Sequence, residues 1–337
     1  PGGAPGAAPR PERTARGPLV VRLAVLRGGH SMERDVSLAT GRRVQHALER
    51  LGHEVHPMVV EETTTERLIE LEPAAVFVCL HGPGGEDGTV QALLETLGIP
   101  YTGSGPLSSI RCMDKDYAKR ALAAAGLPTP RFCTFVRRAM NEMGAAAALN
   151  VAADSLGYPL VVKPAREGSS FGLSRVERPE ELLDAVYEAF GYDAKILLER
   201  WVEGREVSVP ILEPAGEAPR ALGLVEIRPR EGAYNFQAKY TPGMTDFAIP
   251  AELPPGTASR LEETALAVYR TLGCSGFARV DTIVEGETPQ VLDVKTIPGF
   301  TETSTFPLAA EAAGLSFERL VEIILDSALR TEAAPKL

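Results

Sequence analysis

The order of apolar and polar positions divides the chain into segments of recognisable period. Residues 19–26 are a short apolar run ending in Arg27-Gly28-Gly29, which reads as a buried strand entering a glycine loop. Val44, Ala47, Leu48 and Leu51 then recur at helical spacing, with Gly52 as the stop. A strand near 55–60, a helix near 64–71 and a strand at 75–80 follow, and Val90, Leu93, Leu94 and Leu97 mark a further helix. Strands alternating with helices predict right-handed crossovers and a parallel sheet, so residues 19–111 read as one α/β domain.

The pattern then changes. Asp114 can cap a helix running through Ala125, and 159–163 is a strand leading into the loop Arg166-Glu167-Gly168-Ser169-Ser170-Phe171-Gly172. A helix starting at Pro179 and a strand at 196–199 complete a small α+β domain over 112–199. From 200 to 330 the chain predicts several strands, a long polar and aromatic loop at 228–250 and a helix carrying Leu261, Ala265, Val268 and Leu272. A hairpin over 277–295, turning at 286–289, and two closing helices end this part, and no internal repeat is found.

Composition narrows the classes. With 337 residues, 44% of them hydrophobic, two or three domains can bury cores. A net charge of −10 argues against nucleic acid as partner, since phosphate-backbone binding needs a basic face. Cys79, Cys112, Cys133 and Cys274 are scattered without a CxxC pair and read as reduced core thiols. No apolar run approaches the roughly 20 residues that span a bilayer, so no membrane is expected. Residues 1–18 are rich in Pro, Gly, Ala and Arg with no apolar core, which predicts a disordered leader rather than a signal peptide; 331–337 read as a tail. The expected location is cytoplasmic.

Five places carry candidate chemistry. The Gly-Ser-Ser-x-Gly loop after Lys163-Pro164 can bring backbone N–H groups to phosphate oxygens, with the lysine in reach. Strand alternation sets Arg279 and Asp281 on one face of the hairpin and Asp293 and Lys295 on one face of its partner strand. Two carboxylates converging there suit Mg²⁺. Lys239-Tyr240 lies in a loop long enough to act as a lid. Glu33 and the loop holding His81 follow the ends of parallel strands, where ligands bind in such sheets. Singly, each also fits a plainer reading: a surface turn, a solvated hairpin face, an insertion, a helix N-terminal acid, a structural histidine. His53 and His56 lack a third ligand and are assigned no metal.

In order along the chain, LRGGHSMERDVSL (26–38), LHGPGGEDGTVQ (80–91), PYTGSG (100–105), MDKDYAK (113–119), VVKPAREGSSFG (161–172), AKYTPG (238–243), FARVD (277–281) and TIPGFTETSTFP (296–307) resemble the D-alanine–D-alanine ligases. The resemblance runs from about residue 20 to 330. It implies a three-domain ATP-grasp architecture mixing α/β and α+β parts: the N-terminal parallel α/β domain, a central subdomain (112–199), and a C-terminal subdomain (200–330) with the lid at 228–250. It implies an ATP-dependent ligase that makes D-alanyl-D-alanine through an acyl phosphate for peptidoglycan precursors, using ATP and Mg²⁺ or Mn²⁺, as a homodimer.

Residue roles follow from the same resemblance. Lys115, Lys163 and Lys239 would hold ATP phosphates with Ser169 and its loop. Glu199, Arg200 and Val202 would form the adenine hinge and Glu206 the ribose ligand. Glu33, linked to Ser169 and Tyr240, would bind the first substrate's ammonium. His81 would line the substrate site. Arg279 and the Gly299 N–H would stabilise the oxyanion, Ser304 would hold the second substrate's carboxylate, and Asp281 and Asp293 would hold Mg²⁺.

The chain departs from the family at several points. The usual Leu-Glu-x-Asn-Thr reads Leu292-Asp293-Val294-Lys295-Thr296, Gln237 stands where glutamate is common, and Thr305 where a larger apolar residue is common. Two further readings stay open: a related ligase with another second substrate, and a nucleotide-binding homologue of low activity, which Lys295 favours.

Overall fold

The computed structural model describes residues 20–230, 239, 241 and 243–330. Its first layer is built from β1 (Arg22–Arg27), α1 (Arg34–Arg50), β2 (Glu54–Val59), α2 (Thr64–Leu71), β3 (Ala75–Val78) and α3 (Thr89–Leu97). The strands form a parallel sheet in the order β2-β1-β3, as the alternation predicts. β1 and β3 are short apolar runs buried along most of their length, the pattern of strands covered on both faces.

Two helices, α4 (Pro106–Met113) and α5 (Lys115–Ala124), lead onward. Asp114 caps α5, its carboxylate accepting from the N–H groups of Asp116 and Tyr117. A second, antiparallel sheet of order β4-β7-β5-β6 uses β4 (Phe132–Val136), β5 (Leu160–Pro164), β6 (Ser174–Val176) and β7 (Lys195–Arg200). The helices α6 (Arg137–Met143), α7 (Ala146–Leu156) and α8 (Leu182–Tyr192) belong to this part. α7 and α8 bury Leu149, Ala153, Leu182, Val186 and Phe190 against Leu160, Val162, Ile196 and Leu198. The helix expected at Pro179 opens as a 3₁₀ turn, Pro179–Glu181, before α8.

The third sheet is antiparallel, in the order β11-β10-β8-β12-β13, with β9 (Arg220–Ala221) added on β8. Its strands are β8 (Arg205–Leu212), β10 (Val225–Pro229), β11 (Thr245–Ala248), β12 (Phe277–Glu285) and β13 (Thr288–Lys295). The helix α9 (Pro255–Leu272) packs Leu261, Ala265, Val268 and Leu272 onto Val209, Ile211, Val280 and Val294. Two helices, α10 (Thr305–Ala312) and α11 (Phe317–Arg330), end the described residues. α11 returns to the first layer, where Leu320, Val321 and Ile324 share one core with Leu23, Val25, Val44 and Leu48. Among the described residues no helix is long and apolar enough to cross a membrane.

Two expected boundaries shift. The span 228–250 is not loop throughout: Arg228 pairs with Asp246 and Pro229 with Thr245, so both ends are sheet. Its segment 231–238, with Tyr240 and Pro242, lies outside the described residues. The hairpin turns at Gly286-Glu287, while Thr288 and Pro289 belong to β13. β13 is an edge strand, the place in a sheet that tolerates a proline without an N–H.

Candidate active site

The hairpin shows how strand alternation builds a site. Val280 and Val294 turn into the core under α9, so Arg279, Asp281, Asp293 and Lys295 turn to the opposite face. The register pairs Arg279 with Lys295 and Asp281 with Asp293. Arg279 donates through Nε and Nη2 to the two oxygens of Asp281, at 2.8 and 2.7 Å, and Ser208 Oγ donates to the same carboxylate at 3.0 Å. Asp293 lies between two lysines, with Lys115 Nζ 3.8 Å from Oδ1 and Lys295 Nζ 3.7 Å from Oδ2. Burial alone would raise its carboxyl, but Lys115, Lys295 and Lys163 hold it down to about 2. Burial likewise opposes the Lys295 charge, and the carboxylates of Glu86, Asp293 and Glu33 overcome it, keeping the ammonium well above its ordinary range.

Facing the hairpin, the loop between β5 and β6 puts Ser169 and Ser170 at φ +47° and +61°. Non-glycine residues rarely adopt this left-handed backbone, and turns of this kind make anion-binding concavities. At Gly168 a Cβ would stand 2.6 Å from Glu33 Oε2, so any side chain there would displace the carboxylate. That close approach lets Ser169 Oγ donate to Glu33 Oε1. Glu33, buried at the start of α1, is pushed up by burial and pulled further down by Lys295, His81, the Ser169 bond and Lys239. Lys239 Nζ donates to Ser170 Oγ at 3.1 Å, and burial lowers its ammonium. Lys115, at the head of α5, donates to Glu167 O at 2.6 Å.

The far end of the cleft is organised by Glu199 on β7, whose buried carboxylate pairs with both Lys163 and Lys119. Lys163 therefore faces this carboxylate. Lys119 is buried on α5, donates to Thr129 Oγ1 at 2.6 Å, and is pulled down to about 8 by burial. Arg200 sends its guanidinium to Glu285, at 2.8 Å to each oxygen, and Val202 is buried beside it. Glu206 on β8 is raised to about 7 by burial, in spite of Lys239. His81 is fixed at both ring nitrogens, Nδ1 3.1 Å from Ile297 O and Nε2 3.3 Å from Thr40 Oγ1. Ser304, before α10, accepts from Thr301 N at 3.0 Å, close beside Gly299.

One cavity of about 700 Å³ gathers these groups, and its lining includes each residue proposed from sequence except Tyr240, which lies outside the described residues. Sequence reasoning passed over two groups here: Glu86, which lines the cleft, and Lys119, which lies outside the lining and pairs with the lining residue Glu199. Lys119 shares the helical stripe of Lys115, Ala118 and Leu122, all buried on α5, and a lysine on such a stripe signals a buried charge pair. Glu86 is buried in the loop after β3; its Oε2 accepts from Gly82 N at 2.9 Å and lies 3.8 Å from Lys295 Nζ. Among the described residues no cluster of three or more His, Cys, Asp or Glu side chains is placed to hold a metal.

Two family profiles match the chain: D-Ala D-Ala ligase C-terminus over residues 121–326 and D-Ala D-Ala ligase N-terminus over residues 61–104. The chain belongs to the D-alanine–D-alanine ligase family. It is 45% identical over 305 residues to a D-alanine–D-alanine ligase of Desulforudis audaxviator, an alignment covering 90% of this chain and 97% of that one. A D-alanine–D-alanine ligase of Bacillus anthracis solved with ATP superposes with a TM-score of 0.77 at 34% identity, covering 93% of this chain and 99% of that one. A D-Ala:D-Ser ligase of Enterococcus faecalis superposes with a TM-score of 0.79 at 30% identity, covering 92% and all of that chain. The fold of these D-alanine–D-alanine ligases is ATP-grasp, and the present chain shares it.

Proposed function

We propose that this chain joins two D-alanine molecules at the expense of ATP, through an acyl phosphate, in the cytoplasm and as a homodimer. The observation that carries the reading is the junction of Glu33 with the Ser169 loop, which faces the charged hairpin across one cavity. A site that must hold an amino acid's ammonium beside a phosphate needs that pairing of carboxylate and anion-binding loop.

The chemistry assigns the rest. A carboxylate is a poor electrophile until phosphorylated, and phosphoryl transfer needs alignment and charge neutralisation more than covalent help. Glu33 holds the first D-alanine's ammonium so that its carboxylate reaches the γ-phosphate. Lys115, Lys163, Lys239 and the Ser169 loop take phosphate oxygens, while Glu199 and the Arg200 and Val202 backbone take the adenine. Tyr240 is assigned with Ser169 to the Glu33 bond network. Once the acyl phosphate has formed, the second D-alanine, its carboxylate held by Ser304 near His81, attacks through its amine. Arg279 and the Gly299 N–H stabilise the tetrahedral oxyanion, and phosphate leaves. Asp281 and Asp293, paired across the hairpin, are hard oxygen donors that fit one Mg²⁺; when bound, the ion would neutralise charge on the transferring phosphate.

ADP release measured with D-alanine, L-alanine, D-serine and D-lactate, with the product identified by mass, tests this. D-alanine alone should stimulate turnover and yield a dipeptide; equal stimulation by both alanine enantiomers, or by neither, would overturn it. The D-serine arm addresses a second reading, a different second substrate, which the buried Thr305 hydroxyl in the cleft lining favours.

Nucleotide affinity should depend on pH through Glu206. Ionised, it can accept from both ribose hydroxyls; burial raises it from an ordinary 4.5 to about 7. The Kd of an ATP analogue should therefore tighten roughly tenfold between pH 6 and pH 8, and Glu206→Gln should flatten the profile. The sign for stability is opposite: the contribution of the neutral carboxyl is complete below 4.5 and is lost as pH rises through about 7. Calorimetric titration at the two pH values checks the first effect.

A further inference from the structure

Lys295 has no task in the mechanism above, yet its ammonium lies in the cleft with its side chain 11% exposed. Its position is set from two sides. Asp293 Oδ2 is 3.7 Å away on the same strand, and Glu86 Oε2 is 3.8 Å away on the loop after β3, itself fixed by Gly82 N. Both separations exceed hydrogen-bond length, so the carboxylates hold the charge without saturating its three donors. Asp293 thus meets Lys115 at one oxygen and Lys295 at the other. The only carboxylate paired with it across the hairpin is Asp281, whose neighbour in register terms is Arg279 opposite Lys295.

We propose that Lys295 is a resident cation that fills the side of Asp293 facing Glu86 and limits the cleft to one divalent ion per nucleotide. The reasoning is electrostatic and geometric. A metal bound to Asp293 Oδ2 at about 2 Å would lie within a few ångströms of the ammonium, and the two positive charges would repel at low dielectric. The ammonium itself neutralises a phosphate oxygen as a compact point charge but cannot bridge two oxygens and a carboxylate. Glu86 acts as a positioning residue, keeping the ammonium from turning out to solvent.

This inference rests on the ligase reading, and the test separates the two. Mn²⁺ binding is counted by electron paramagnetic resonance with a non-hydrolysable ATP analogue, for the unmodified chain, Lys295→Asn and Lys295→Arg. The unmodified chain and Lys295→Arg should hold one Mn²⁺, and Lys295→Asn should hold two, its second ion at least tenfold tighter than any second ion in the unmodified chain. Two ions in the unmodified chain, or one in all three, would overturn the proposal while dipeptide synthesis by the same sample leaves the ligase reading intact. No nucleotide-dependent Mn²⁺ binding at all would overturn both.

Discussion

Replacing Arg279 with methionine is expected to lower kcat for dipeptide formation by about 10²–10³-fold, the range seen when one oxyanion donor is removed. The guanidinium is held in a fixed fork by Asp281, through Nε and Nη2, and Asp281 is held in turn by Ser208. Such a donor needs no reorganisation when charge develops on the substrate. Methionine keeps the length of the stem and removes the donors, so the KM for ATP should change much less than kcat. Steady-state kinetics with both substrates varied provides the check. A KM effect larger than the kcat effect would place Arg279 in ground-state binding instead.

The second large effect is expected away from the reacting atoms. Lys119→Met should destabilise the fold by about 3 kcal/mol, because removing one partner from a buried ion cluster leaves a poorly compensated charge. Glu199 keeps Lys163, which moderates the loss but shifts the carboxylate toward it. The KM for ATP should therefore rise along with the fall in stability. Combining Lys119→Met with Glu199→Gln should cost less than the sum of the two single changes, since the pair is coupled. Urea denaturation of the four proteins measures this; strict additivity would show that Lys119 and Glu199 do not act together.

The parts of the fold with strong local signals were legible. The stripes of α1, α3 and α9, the Asp114 cap and the alternation of β12 and β13 each followed from one period or one capping residue. The pairing of β10 with β11 was not, because Arg228, Pro229, Thr245 and Asp246 have the composition of a loop and become strand only through their partners. The Ala-rich α7 gave too little contrast between faces to be read, and α4 buries Ser108 and Ser109 while exposing Leu107 and Ile110, against its pattern. For the site, residues in glycine-rich or alternating charged segments stood out, whereas Lys119 and Glu86 were hidden by their surroundings. One sits on an apolar helix stripe and the other in a loop whose glycines drew the attention. Their importance lies in burial, a property of the assembled tertiary structure.

The shared core of α1 and α11 has a consequence for biosynthesis. Val44 and Leu48 leave the ribosome long before Leu320, Val321 and Ile324, the side chains that cover them. During most of translation the first parallel sheet must therefore wait with one flank incompletely covered, because α11 supplies part of that cover. Long-range closure of this kind slows folding and leaves apolar surface exposed to aggregation or chaperones in the interval. A premature stop anywhere before α11 would harm the beginning of the chain as much as its end.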